Sequence, residues 1–144
     1  MTKILAQTFT PVYDEIEDRI KLIVNYQDFH NRVELMITRK FTIQLVPMLE
    51  EFYEKHYGDL QKSSSHNGNF KKYTSKTSYE DILLYKKRPL LLHGVKLLYK
   101  KPYTIANFKT ESNLIVTQFN REALAVFTLR LKRAIPQAGW GLFL

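Results

Sequence analysis

The chain has 144 residues, enough for one ordinary domain that buries a real core without covalent staples. Its 44% hydrophobic and 25% charged residues exclude an intrinsically disordered protein. The absence of cysteine excludes a disulfide framework and a thiolate metal site, and fits a reducing compartment.

The net charge of +8 is unevenly spread. Residues 1–60 hold seven Lys/Arg and ten Asp/Glu, whereas residues 61–144 hold fifteen and four. Such asymmetry points to a polyanionic partner, although a solvated charged face is the plainer explanation. No apolar run approaches the ~20 residues that span a bilayer, and the N-terminus lacks a signal-peptide pattern. The expectation is a soluble, cytoplasmic protein with no membrane partner.

Residues 1–17 show no clear period. Pro11 and the acids Asp14, Glu15, Glu17 and Asp18 read as a lead-in. From Arg19 to Tyr26 apolar side chains alternate, as they do again from Arg32 to Ile37. Turn residues Gln27 to Asn31 lie between the two runs, which predicts a β-hairpin. Thr38 is a good helix N-cap. Phe41, Leu45, Met48, Leu49 and Phe52 follow at helical spacing, with Gly58 as the stop. Pro47 inside this run predicts a kink or two shorter helices.

Residues 61–78 contain no aliphatic side chain and read as a flexible, lysine-rich loop within the domain. A short helix over Tyr79–Tyr85 is expected, broken by Lys86-Lys87-Arg88-Pro89. Strands follow over Leu90–Lys100, with Gly94 as a bulge, over Tyr103–Lys109 and over Leu114–Phe119. Asn120 caps a second helix, which places Leu124, Phe127, Leu131 and Ala134 on one face. The apolar tail carries Trp140, Leu142 and Phe143, and either docks on the core or forms an interface.

The expected fold is therefore α+β. About five antiparallel strands form a sheet covered by two main helices, within a single domain spanning residues 1–144. A shift of 82 residues lays Val33 on Ile115, Ile37 on Phe119, Thr38 on Asn120 and Leu49 on Leu131. The halves thus read as a pseudo-repeat of strand, strand and helix. At the level of topology, strands followed by a long helix resemble the single-strand-binding folds of the Whirly and PC4 type. No sequence motif carries that resemblance.

The strongest constellation runs from Lys62 to Lys109, with eleven Lys/Arg, two acids and seven interleaved aromatics. Lysines neutralise phosphates and release counterions, and aromatic faces stack on unpaired bases. The candidate nucleic-acid contacts are Lys62, Phe70, Lys71, Lys72, Tyr73, Lys76, Lys86, Lys87, Arg88, Lys100 and Lys101. Tyr99, Tyr103 and Phe108 are expected to face the core. Arg39 and Lys40 sit where free helix N–H groups attract anions, and join the candidates.

Catalytic and metal motifs are missing from the sequence. The four histidines lack ligand spacing, and no HExxH, GxSxG or Walker pattern occurs. No cofactor is expected. The leading expectation is a non-catalytic protein that binds single-stranded DNA or RNA. The alternative is a subunit of a larger assembly, which would self-associate or bind a protein partner. Its oppositely charged halves and its tail residues Trp140, Leu142 and Phe143 would form the interface.

Overall fold

The computed structural model describes residues 2–60, 89–136 and 139–141. The 61–78 loop and the Tyr79–Tyr85 helix expected from the sequence lie outside them.

The chain runs β1 (Thr2–Leu5), β2 (Phe9–Asp14), β3 (Arg19–Val24), β4 (Val33–Ile37) and α1 (Arg39–Tyr57). It continues with β5 (Leu90–Leu91), β6 (Gly94–Lys100), β7 (Tyr103–Lys109), β8 (Asn113–Phe119) and α2 (Arg121–Ala134). The architecture is α+β, with two helices and two four-stranded mixed sheets among the described residues.

The predicted hairpin is β3–β4, whose inward residues Ile20, Leu22, Val24, Leu35 and Ile37 are fully buried. Alternation marks these strands because successive side chains point to opposite faces, and the core cluster takes one of them; Ile23 and Met36 on the other face are buried as well. Both helix starts fall where the sequence places them. The Thr38 hydroxyl accepts the Phe41 N–H at 3.2 Å, and the Asn120 side-chain carbonyl accepts the Ala123 N–H at 2.7 Å. Gly58 ends α1 at φ +95°, a conformation that glycine adopts without the Cβ clash.

Three expectations change. Among the described residues there are eight strands rather than about five. Two arise in the stretch read as a lead-in, and Leu90–Lys100 divides at Leu92-His93 into β5 and β6. β1 is only four residues long and directs only Ile4 toward the core, so it leaves no period to detect. Secondly, α1 is one continuous helix through Pro47. Pro47 lies on the exposed side, where water can satisfy the carbonyl that proline leaves unbonded.

Thirdly, the halves do not keep separate antiparallel sheets. One sheet has the order β1-β8-β7-β6 and the other β2-β3-β4-β5. Each half gives its first strand to the other's sheet. β1 lies parallel to β8, and β5 lies parallel to β4, so each exchanged strand sits beside the strand that leads into a helix. Interchanging the halves maps one strand order onto the other.

The core forms where the halves meet. Phe9 of β2 packs its ring 5.2 Å from Phe108, 5.6 Å from Phe119 and 5.1 Å from Phe127. These rings tie both sheets to the inward side of α2. Offset and edge contacts at such distances are the favoured aromatic geometries. Across the helices, Lys132 reaches Glu50 at 3.3 Å, and the Arg121 Nε donates to the Tyr53 hydroxyl at 3.3 Å.

Candidate functional site

Strand alternation gives each sheet an outward face, and the two faces differ in charge. In β1-β8-β7-β6 the register puts Lys3 and Leu5 beside Leu114, Val116 and Gln118. These adjoin Lys109, Asn107, Ile105 and Tyr103 on β7, followed by Lys96, Leu98 and Lys100 on β6. The face therefore holds four lysines and no carboxylate. None of the four makes an ion pair among the described residues. At the usual strand spacing and rise, it measures roughly 14 Å across and 20 Å along.

The outward face of β2-β3-β4-β5 is balanced. It carries Asp14 and Glu34 against Arg19 and Lys21. Lys21 lies 3.8 Å from Glu34, and Arg19 lies 2.6 Å from Glu17 in the adjoining turn. Three lysines of the basic half, Lys96, Lys100 and Lys109, thus share one face with Lys3. Exposed pairs of this kind add little stability, so their main consequence is to cancel the local field.

The lysine face also exposes apolar surface. Leu5 is 68%, Leu98 51% and Tyr103 43% accessible. Tyr103 reverses the sequence expectation that it faces the core. Counting back from buried Phe108, Ala106 and Thr104 are the inward residues, which turns Tyr103 outward. Phe108 is buried as expected. Tyr99 faces inward, with its ring 4.2 Å from His56 and 5.5 Å from Tyr57.

Of the predicted contacts, Lys100 and Lys101 are exposed where β6 turns into β7. Lys62, Phe70, Lys71, Lys72, Tyr73, Lys76, Lys86, Lys87 and Arg88 lie outside the described residues, as do Leu142 and Phe143 of the tail. Lys40 is exposed in the first turn of α1. Arg39 is already engaged within the chain. It donates to the Gly139 carbonyl at 3.2 Å, lies 3.8 Å from Asp18 and sets its guanidinium 5.3 Å from the centre of the Trp140 ring.

Trp140 of the apolar tail packs against the chain. It is buried, and its indole N–H donates to Asp18 at 2.7 Å. Asp18 also accepts from the Tyr13 hydroxyl. These hydrogen bonds, Tyr13 first and then Trp140, hold the Asp18 carboxyl below its ordinary pKa. The same bond from Tyr13 raises the phenol above its usual value. Asp18 therefore stabilises the folded chain above the ordinary carboxylate range. That contribution is lost as pH falls through its depressed value.

Trp140 is the only tryptophan, so its emission reports this contact directly. We expect the emission to stay constant from neutral pH down to about 4 and to shift red only below that. Asp18→Ala should shift it red at neutral pH and remove the acid step. An unshifted spectrum in that variant would assign the acid step to another group.

Among the described residues no group of three or more His, Asp or Glu is placed to hold a metal ion. No described helix is long and apolar enough to cross a membrane. Comparison with known proteins brings no match to a protein-family model, a curated protein or a solved structure.

Proposed function

We propose that the protein binds single-stranded DNA or RNA, without catalysis, on the outward face of β1-β8-β7-β6. The observation that carries this is the concentration of unpaired lysines on that face. Lys3, Lys96, Lys100 and Lys109 accompany no acid there, while the other sheet balances its charges. Lysines so placed can neutralise successive phosphates. The flat apolar surface between them, with Tyr103 at one end, suits unstacked bases. A duplex is less well suited, because grooves are read by a protruding helix or ribbon.

The topology supports the same reading. Four strands and a helix, given twice with the first strands exchanged, leave each sheet one outward face on which a strand could lie. In this reading the helices cover the inner sides of the sheets and leave the basic face open. The protein acts in an aqueous compartment such as the cytoplasm.

The test is fluorescence anisotropy with labelled dT and rU oligonucleotides across a salt series. Four phosphate contacts predict that log K falls with log salt at a slope of about −3, from ~0.7 per contact for single strands. Unlabelled duplex should compete more weakly than single strand. Undetectable binding at low salt overturns the proposal.

The assembly-subunit reading has its own observation. Leu5 and Leu98 are exposed on β1 and β6, the two outer strands of the same sheet. Sedimentation of the nuclease-treated protein tests it, and a strict monomer counts against self-association.

A further inference from the structure

Two carboxamides share the lysine face, Asn107 in the middle of β7 and Gln118 in β8. We propose that these amides read the bases of the bound strand while the lysines hold its phosphates. The inference rests on the nucleic-acid reading of this face.

Asparagine is among the residues least suited to a strand interior. Elsewhere in the described chain, asparagines have an internal hydrogen-bonding role. Asn25 bonds three backbone groups, Asn31 bonds Asp28, Asn113 bonds Ser112 and Asn120 caps α2. Asn107 makes no side-chain hydrogen bond among the described residues, and neither does Gln118. Asn107 lies opposite Val116 on one side and Lys96 on the other. A valine in its place would suit the strand better, so the fold gives no reason for an amide there. Departures from local preference without internal compensation are expected at functional positions.

The two amides are close enough to act together. Gln118 pairs with Ile105, two residues along β7 from Asn107. They are therefore diagonal neighbours, about 7–8 Å apart. Val116 and Ile105 complete the apolar quadrilateral around them. The chemistry differs from that of the lysines. An amide presents a donor and an acceptor side by side, so it can make a two-point contact with a base edge that offers the complementary pair. Adenine and cytosine each set an amino donor beside a ring-nitrogen acceptor, whereas thymine sets a ring N–H between two carbonyl acceptors, so the order and angle of the pair differ from base to base. An ammonium group has donors alone and follows the phosphate whatever the base. Once a strand covers the face, each amide loses its water and must find a partner. A base that cannot supply one is disfavoured.

The experiment compares dA, dC and dT homopolymers by anisotropy, using wild type and the double variant Asn107→Val with Gln118→Ala. Wild type should spread the three affinities by roughly tenfold, the low end of two-point base discrimination. The double variant should narrow the spread to within about twofold while its salt slope stays unchanged, because the lysines remain. Valine should keep or raise the melting temperature, so a clear fall would reveal a structural role and overturn the inference. Equal affinities in wild type, or an undiminished spread in the variant, also overturn it while leaving nucleic-acid binding intact. No binding to any homopolymer removes both readings together.

Discussion

Replacing Lys96, Lys100 and Lys109 together with glutamine should weaken single-strand binding by roughly 100-fold at about 0.1 M salt. The magnitude follows from counterion release. A phosphate contact on a single strand contributes ~0.7 to the salt slope, which amounts to about fivefold in affinity between 1 M and 0.1 M salt. Three contacts multiply to about 125-fold, and the slope itself should fall by about 2. The chain should tolerate the change, since all three side chains are exposed and none forms an ion pair among the described residues. Lys21→Gln is the control. It removes the same charge from the other sheet, where Glu34 already offsets it, and should leave affinity nearly unchanged. A loss of about fivefold in this single-charge control, the share expected of one lysine, would show that net charge alone governs binding, and would remove the lysine face as the site.

The sequence showed what depends on period and local chemistry. The β3–β4 hairpin was legible because apolar residues alternate on the core side of both strands, and the helix starts because Thr38 and Asn120 act within three residues of themselves. The 82-residue offset between those caps also marks a real structural correspondence, with β4 and β8 each leading into a helix. The exchange of first strands was not legible. It is decided by pairing between residues far apart in the chain, Ile4 with Ile115 and Leu35 with Leu90, and no local pattern encodes such a choice. The same limit obscured the candidate site. Lys3 and Leu5 belong to it only through that pairing, and Tyr103 was assigned to the core because aromatic strand residues usually face it. The alternation from Tyr103 to Lys109 contained the correct answer once Phe108 was fixed as inward. The lysine-rich stretch was identified as basic, but only the register separates Lys96, Lys100 and Lys109 onto one face.

Asn25→Ala should destabilise the protein by about 4 kcal/mol, because this one side chain fixes the point where β1 leaves the first half for the other sheet. Asn25 is buried, with its carbonyl accepting the Gln7 N–H at 2.8 Å. Its amide donates to the carbonyls of Leu5 and Asn31, both at 3.0 Å. Leu5 ends β1, Gln7 lies in the β1–β2 connection and Asn31 in the β3–β4 loop. Alanine forfeits three hydrogen bonds at about 1 kcal/mol each. It must also hold φ near +56°, which asparagine tolerates and alanine resists at a further ~1 kcal/mol. Glycine is the discriminating companion. Asn25→Gly loses the same bonds without the backbone strain, so it should be about 1 kcal/mol less damaging. Urea denaturation with an unchanged m-value measures both. A loss below about 1 kcal/mol for alanine would mean that β1 is held by its pairing with β8 alone. Because domains of this kind have only about 5–15 kcal/mol of total stability, the expected loss is a large share of it. β1 carries Lys3, so a loosened crossover should also cost about one phosphate contact, a fivefold fall in affinity. The stability of the exchange and the strength of binding are therefore coupled through the same short strand.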